Sequence, residues 1–223
     1  MESNQTPPSS PPVDRERDYP MTGLHNQNPP GKGFWSLVCE DRATHESILT
    51  QGFWAVFANR LGNWRMGIRS SLLRLPFTWL YRAVYRWAHW TTRIELPYIV
   101  KIGRRLRIWH HGGCVLGACS IGDDVQIRHN VTIGLANHGV PVHNLPIIED
   151  RVILGAGCAV LGPITIGHDS VVGANSVVST DIPPFSLVVG MPGRVIKTLD
   201  GARKTHVEVE KISTPDAGSP SAS

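Results

Sequence analysis

Aliphatic side chains return every six positions through the middle of the chain, from Ile102 to Val178. One extra residue follows Cys114, and a longer interruption follows Ile133. A period of six is typical of short strands stacked into a β-solenoid, whereas a β-sandwich would space its strands at about eight to twelve residues. We therefore predict a solenoid whose shared core is formed by Ile102, Ile108, Cys114, Ile121, Ile127, Ile133, Ile148, Leu154, Val160, Ile166, Val172 and Val178.

Residues 33–95 follow the three-to-four spacing of α-helices instead. Arginines and Pro76 interrupt the apolar run too often for a membrane span. One helix face should pack against the rest of the protein. That face is formed by Leu73, Phe77, Leu80, Val84 and Trp87.

The two ends of the chain carry little apolar surface. Residues 1–32 are rich in Pro, Ser, Asn and Gln, and residues 199–223 are polar without periodicity, so neither segment is expected to order itself. No apolar stretch near the N-terminus has the form of a signal peptide, which predicts a cytoplasmic protein. The predicted organisation is a disordered tail (1–32), a helical region (33–95), a β-solenoid (96–198) and a second disordered tail (199–223).

The repeats end in the segment D-I-P-P-F-S-L-V-V-G-M-P-G-R-V-I-K, residues 181–197. With the repeated pattern of an aliphatic residue followed by glycine, this segment resembles the hexapeptide-repeat acyltransferases. Residues 102–197 are most similar to the branch of serine O-acetyltransferases and exopolysaccharide O-acetyltransferases. The resemblance implies a mainly β protein, a left-handed parallel β-helix preceded by a short helical region. It also implies a homotrimer that uses acetyl-CoA as co-substrate.

Four histidines lie in or before the interruption of the repeat. His110 and His111 lie on the preceding coil, and His138 and His143 lie in the interrupting loop, residues 134–147. Acyl transfer to a hydroxyl needs a base for the hydroxyl proton and donors for the oxyanion. Histidine suits the first task, because its pKa of about 6.5 lies near working pH.

Two of these histidines compete for the role of base. His110 matches the serine acetyltransferase motif His-x-x-Gly-x-x-x-Gly, which continues here with Gly113 and Gly117. His138 matches the loop in which related sugar and antibiotic acetyltransferases carry their base. By the same resemblance, His111 should orient the acceptor site, and His143 lies near a second active-site histidine of serine acetyltransferases.

Trp109 departs from the serine acetyltransferase pattern, which has an aspartate before the base that helps to hold the substrate ammonium. A tryptophan offers no counter-charge, but it can form a platform for a sugar ring. Our main expectation is therefore a sugar or an exopolysaccharide precursor as acceptor. Serine is the alternative, and a non-catalytic scaffold, which would release no CoA, is the second alternative.

The resemblance also assigns residues to acetyl-CoA. Its pantetheine should lie along small corner residues that permit close approach, and basic residues after the last coil should bind its phosphates. The predicted contacts are Gly155, Ala156, Gly173, Ala174, Arg194 and Lys197.

The residues from Arg60 to Arg107 carry ten Arg and one Lys against a lone Glu95, a net charge of +10 in a chain of +4. Two interpretations stay open for this concentration of charge: a solvated face next to a trimer contact, or peripheral contact with an anionic membrane or an anionic substrate. No nucleic acid is expected, because no recognised binding motif accompanies the charge.

No metal is expected either. The carbonic anhydrases that share this fold bind zinc through three histidines, two of them five residues apart, and His129 and His138 are nine apart. The four cysteines, Cys39, Cys114, Cys119 and Cys158, have no metal or disulfide spacing. Two of them fall at inward solenoid positions, and we expect buried thiols.

Overall fold

The computed structural model of the protein describes residues 23–110, 112–136 and 144–199. Within these residues, three helices precede a series of short strands. The helices are α1 (Phe34–His45), α2 (Gln51–Met66) and α3 (Ser71–Thr92). The strands are β1 (Ile94–Glu95), β2 (Lys101–Ile102), β3 (Arg107–Ile108), β4 (Cys114–Leu116), β5 (Ser120–Ile121), β6 (Gln126–Ile127), β7 (Thr132–Gly134), β8 (Ile147–Ile148), β9 (Ile153–Leu154), β10 (Ala159–Leu161), β11 (Thr165–Ile166), β12 (Val171–Val172), β13 (Val177–Val178), β14 (Ser186–Val189) and β15 (Arg194–Thr198).

Successive strands lie on successive faces of a three-sided parallel β-helix. The first face has the strand order β1-β4-β7-β10-β13, the second β11-β8-β5-β2, and the third β15-β14-β12-β9-β6-β3. All neighbouring strands are parallel except β15, which turns back and pairs antiparallel with β14. The strands are short because each one spans a single side of the triangle.

The repeating aliphatic residues form one continuous core. All twelve predicted positions are at most 3% exposed, from Ile102 at the first coil to Val178 near the last. A residue two positions before several of the later anchors is buried as well, including Val125, Val131 and Val152. Neighbouring coils therefore bury each other's apolar side chains, which is how a solenoid acquires a core that no single repeat can form.

One position of the predicted register is wrong. Leu116, not Cys114, lies opposite Ile133 in the first sheet, while Cys114 pairs with Ile94. The corner between the third and first faces therefore contains residues 109–115 in the upper coil, whereas residues 128–132, 155–159 and 173–177 fill it in the coils below. The upper corner is longer by two residues, and Cys114 is buried within it.

The helices are attached to the top of the β-helix by buried polar contacts. Arg60 of α2 is fully buried; its Nε lies 3.0 Å from Asp41 Oδ2, and its Nη1 and Nη2 donate to the carbonyls of Ile102 (3.1 Å) and Gly103 (2.6 Å). A buried guanidinium needs such partners, because an unpaired charge inside a protein is very costly. The ion pair thus orients α1 and α2 against β2.

A buried histidine makes a second attachment. The backbone N–H of Ile108 in β3 donates to His45 Nε2 (3.3 Å), while His45 Nδ1 lies 2.8 Å from the carbonyl oxygen of Asp41. A ring that accepts at one nitrogen and donates at the other is neutral. Burial lowers the pKa of His45, and the nearby Arg107 contributes to the same direction.

The packing face predicted for α3 is only partly correct. Its buried residues are Tyr81, Ala88 and Thr92, while Phe77 and Val84 are half-buried. Leu73, Leu80 and Trp87, which were expected to pack inward, are exposed. Among the described residues, no helix is long and apolar enough to cross a bilayer.

Candidate active site

His110 projects from the longer upper corner, where it is exposed to solvent. Its backbone adopts φ 62°, a left-handed conformation that few residues other than glycine adopt. Corner residues of other coils, including Asp124, Asn130 and Asn175, adopt the same conformation, so it belongs to the fold and not to the site alone. The exposure of His110 leaves its imidazole accessible to an acceptor hydroxyl.

Trp109 is surrounded by cationic side chains. The Arg107 guanidinium lies 3.6 Å from the centre of the Trp109 ring, and that of Arg128 lies at 4.8 Å. The indole N–H donates to Gln126 Oε1 at 3.1 Å, and Arg107 also forms an ion pair with Glu46 at 2.7 Å. Among the described residues, Arg128 makes no ion pair. The wall beside His110 is therefore an aromatic ring with one cation whose charge is available.

His129 is the neighbour of His110 on the coil below. The two rings meet edge to face, with centroids 5.9 Å apart and planes at 73°. His129 Nδ1 is buried and has no hydrogen-bond partner within the described part of the chain. Sequence reasoning considered His129 only as a metal ligand. Its proximity to His110 follows from the register, because Arg107 and Ile108 pair with Gln126 and Ile127.

A column of equivalent residues leads down the corner from Trp109. Each backbone N–H in the column donates to a backbone carbonyl oxygen of the coil below. The N···O pairs are Trp109 to Ile127 (2.8 Å), Arg128 to Leu154 (3.0 Å), Gly155 to Val172 (2.8 Å) and Gly173 to Val188 (2.7 Å). Neighbouring strands are about 4.8 Å apart, so the column extends about 19 Å from Trp109 to Val189. Below Arg128, the corner carries no large side chain for two coils.

The structure shows a packing role for the glycines of this column that the sequence analysis did not include. A Cβ atom on Gly155 would lie 2.6 Å from the backbone nitrogen of Ala174, and one on Gly173 would lie 2.8 Å from Val189 Cγ1. Glycine is therefore required by the close stacking of the coils themselves. Ala156 is half-buried and Ala174 is exposed at the same corner. Contact of these four residues with acetyl-CoA stays a prediction.

Arg194 lies at the lower end of the column, and Lys197 lies further along the third face. Arg194 pairs with Val189 and Lys197 with Leu187, and both basic side chains are exposed on the outer strand β15. They are thus several coils away from His110, at the far end of the row of small residues. Their predicted contact with phosphates agrees with this placement and stays a prediction.

The other predicted site histidines lie outside the described residues. His111 follows His110 directly, and His138 and His143 belong to residues 137–143. The ends of that loop, Ala136 and Asn144, follow the first face and lead into the second. His110 instead occupies the corner between the third and first faces. Within one chain, His110 and the ends of the loop therefore lie at different corners of the β-helix.

The predicted buried thiols are confirmed at Cys114, Cys119 and Cys158. Burial raises the pKa of Cys114, and it raises that of Cys158 to about 12, so both stay protonated near neutral pH. Cys119 is buried as well, whereas Cys39 is exposed. No group of three His, Cys, Asp or Glu side chains among residues 23–110, 112–136 and 144–199 is placed to hold a metal ion.

A cavity of about 560 Å³ lies on the second face, away from the His110 corner. Its lining includes Lys101, Ser120, Glu149, Asp150 and His168, and His110 is not among the lining residues. We place the candidate site at the His110 corner nevertheless, because that corner combines an exposed imidazole with a cationic aromatic wall.

Comparison with known proteins identifies the family of the chain. Residues 146–180 match the family model described as bacterial transferase hexapeptide (six repeats). A serine acetyltransferase of Mycobacterium tuberculosis is 41% identical over 146 residues, which cover 65% of this chain and 60% of that protein. A serine acetyltransferase of Bacillus subtilis is 35% identical over 177 residues, which cover 78% of this chain and 77% of that protein. The chain belongs to the serine acetyltransferase family.

Solved structures of serine acetyltransferases have the same fold. The soybean enzyme complexed with serine gives a TM-score of 0.61 at 28% identity, covering 73% of this chain and 69% of that one. The Brucella abortus enzyme in complex with coenzyme A gives a TM-score of 0.59 at 22% identity, covering 74% and 69%, and it supports the fold alone. The predicted hexapeptide-repeat class and its left-handed β-helix are thus confirmed. So is the predicted enzyme class, an O-acetyltransferase of hexapeptide type, at the level of the family.

Proposed function

We propose that this protein transfers the acetyl group of acetyl-CoA to the hydroxyl of serine. The proposal rests mainly on one observation: in a serine acetyltransferase fold, the histidine that resembles the family's base is exposed at the upper end of a column of small residues. Serine was the alternative expectation from the sequence, and the relatives favour it over a sugar. The soybean relative is described as complexed with serine.

The proposed reaction is a direct transfer with His110 as general base. The imidazole accepts the proton of the serine hydroxyl while the oxygen attacks the thioester carbonyl carbon, which forms a C–O bond and a tetrahedral oxyanion. The C–S bond then breaks, and the departing sulfur takes the proton from the imidazolium. No acyl-enzyme is required, and the buried thiols of Cys114 and Cys158 are too basic to form one near neutral pH.

We place the acetyl-CoA along the corner column. The thioester would lie beside His110, the pantetheine along Gly155, Ala156, Gly173 and Ala174, and the phosphates near Arg194 and Lys197. The support is the order of residues along the corner, where small residues lie between an exposed histidine at one end and exposed cations at the other.

The wall beside His110, formed by Trp109 and Arg128, suits the carboxylate of serine better than its ammonium. Arg128 lies next to the base corner with an available cation, which suits the serine carboxylate. The ammonium has no carboxylate at position 109, where its relatives are expected to supply one. The aromatic ring of Trp109 therefore favours a second candidate acceptor, a sugar hydroxyl that needs no counter-charge.

Release of CoA from acetyl-CoA separates these candidates. The purified protein is assayed with L-serine, with serinol, which lacks the carboxylate, with 3-hydroxypropionate, which lacks the ammonium, and with simple and nucleotide sugars. We expect L-serine to be the best acceptor and serinol to be much weaker. His110→Ala is the background control.

Preference for a sugar over serine would replace the main proposal by the second candidate. Absence of acceptor-dependent CoA release with every compound would favour a scaffold without catalytic activity.

The functional unit is proposed to be a homotrimer. In one chain, His110 and the loop at residues 137–143 start from different corners, so a neighbouring subunit is the natural source of the loop that completes the cleft. We expect a mass in solution of three times the 24.5 kDa of the chain. A monomer with full activity would contradict the shared cleft.

A further inference from the structure

The structure divides the arginines of the +10 segment into two groups. One group is neutralised or packed inside the protein: Arg60 pairs with Asp41, Arg104 and Arg105 with Glu40, and Arg107 with Glu46. Arg65 is buried and stacks on the rings of Tyr81 and Tyr98 at 4.6 and 4.5 Å. The second group lies on or beside α3, without an ion pair among the described residues. It consists of Arg69, Arg74, Arg82, Arg86 and Arg93.

Helix α3 is apolar on the side that faces away from the protein. Leu72, Trp79 and Trp90 are 83%, 63% and 75% exposed. They are separated by seven and eleven residues, close to two and three turns at 3.6 residues per turn, so they form one line along the helix. Tyr81, Ala88 and Thr92 mark the buried side, on the opposite face. A helix that is apolar on both sides needs a second apolar environment.

The charged side chains beside the line of Leu72, Trp79 and Trp90 are all arginines. Arg82 lies with its guanidinium 5.5 Å from the centre of the Trp79 ring, and Arg86 and Arg93 follow on the same side of the line. Residues 60–93 contain no Asp or Glu. Exposed Trp and Leu beside a row of cations is the pattern of helices that lie in the headgroup region of a bilayer.

We propose that α3 binds the surface of an anionic lipid bilayer, with Leu72, Trp79 and Trp90 inserted and the arginines against the headgroups. Two copies of α3 packed against each other would bring like charges together without an acidic residue between them, so charge complementarity favours lipid over an α3–α3 contact. The helix lies on the membrane and does not cross it, in agreement with its lack of a spanning stretch. This proposal is independent of the acceptor and of the catalytic assignment.

Co-sedimentation of the full chain with vesicles tests the proposal. The vesicles consist of phosphatidylcholine alone or of equal parts phosphatidylcholine and phosphatidylglycerol, at low and high salt. We expect binding to the anionic vesicles only, and weaker binding as salt screens the charges. Removing an arginine near the membrane should weaken binding about fivefold.

Three variants separate charge, insertion and non-specific effects. Arg82→Gln with Arg86→Gln removes two charges from α3, and Trp79→Ala with Trp90→Ala removes the inserted rings; both pairs should reduce binding. Arg42→Gln with Lys101→Gln removes two exposed charges elsewhere and should leave binding nearly unchanged. Circular dichroism and thermal unfolding confirm that each variant is folded.

Several outcomes would overturn the proposal. They are failure of the wild type to bind anionic vesicles, equal binding to both lipid mixtures, and equal losses in the α3 and control variants. If the Trp79→Ala, Trp90→Ala protein changes its mass in solution while wild-type protein ignores vesicles, α3 binds another copy of the chain instead.

Discussion

The same corner of the β-helix is built in two ways. In the lower coils, residues 155–159 and 173–177 make short corners of small residues, so close together that Gly155 cannot accept a Cβ atom. In the upper coil, residues 109–115 make a longer corner with a tryptophan, an exposed histidine and a glycine, Gly113, that has open space around it. The lower corners hold the coils together, whereas the upper corner is free to carry chemistry.

The upper corner has this freedom because it lies at the end of the third sheet. Strand β3 is the edge strand of that sheet, so no further coil stacks above it. Helices cover the edge instead: His45 accepts the N–H of Ile108, and a Cβ on Gly52 would meet the Ile108 carbonyl at 2.5 Å. The site is thus located where the repeat stops and a different packing begins.

The largest difference between the two corners should be catalytic. His110→Ala removes the proposed base, and general base catalysis contributes about a hundred- to ten-thousand-fold. We expect kcat to fall by that factor, while the affinity for acetyl-CoA, measured by calorimetry, changes little. His138→Ala is the parallel variant. A larger loss there than in His110→Ala would move the base to the loop.

The next difference should appear in stability. Gly155→Ala places a Cβ against backbone of the next coil, and overpacking of this kind costs about 1–3 kcal/mol. Gly113→Ala is the matched control in the upper corner, where nothing lies within 4 Å of the new atom. Urea unfolding should show a clear loss for Gly155→Ala only. Equal losses would mean that the upper corner is packed as closely as the lower ones.

The smallest expected effect is a pH dependence of stability that comes from His45, which packs on the upper coil. Burial lowers the pKa of His45, so the unfolded chain binds this proton more readily than the folded protein does. Stability should therefore fall as pH drops below about 6.5 and through the lowered pKa of the folded state. His45→Gln should remove this part of the dependence.

Urea unfolding at a series of pH values measures the effect of His45. One group can contribute at most about 1.4 kcal/mol per pH unit. The neighbouring Asp41 and Arg107 are retained in His45→Gln, so any dependence that remains belongs to other groups. An unchanged slope in the variant would show that His45 does not titrate on unfolding.

The six-residue period predicts the frame of the β-helix well, because each inward position must be apolar in every coil. It fails at Cys114, because the inward position of this strand is Leu116. Two residues are added between Ile108 and Leu116 and one is missing before Ile121, so the net shift is a single residue. A buried thiol at Cys114 also resembles an aliphatic anchor. Periodicity also predicts the inner face of α3 only in part. That helix is apolar on both sides, so periodicity alone cannot tell which side is buried.

The candidate site was predictable in part. His110 and Trp109 stand out in the sequence, but Arg128 and His129 reach them from the next coil and are nineteen residues away. Aligning the coils by their strand pairing would have revealed these neighbours. The tight fit at Gly155 was not predictable, because glycine serves equally well for approach by a ligand and for approach by backbone.

The reversed strand β15 limits how far the spiral can extend. A parallel coil offers the same unpaired edge at each end, and such an edge can accept another coil or another molecule. By pairing antiparallel with β14, β15 ends the third sheet with a strand that no further turn of the spiral can follow, and its outward row includes Arg194 and Lys197. The helices block the opposite end. The number of turns is therefore set by two segments that lie outside the repeat, and the protein is kept from growing end to end into a fibre.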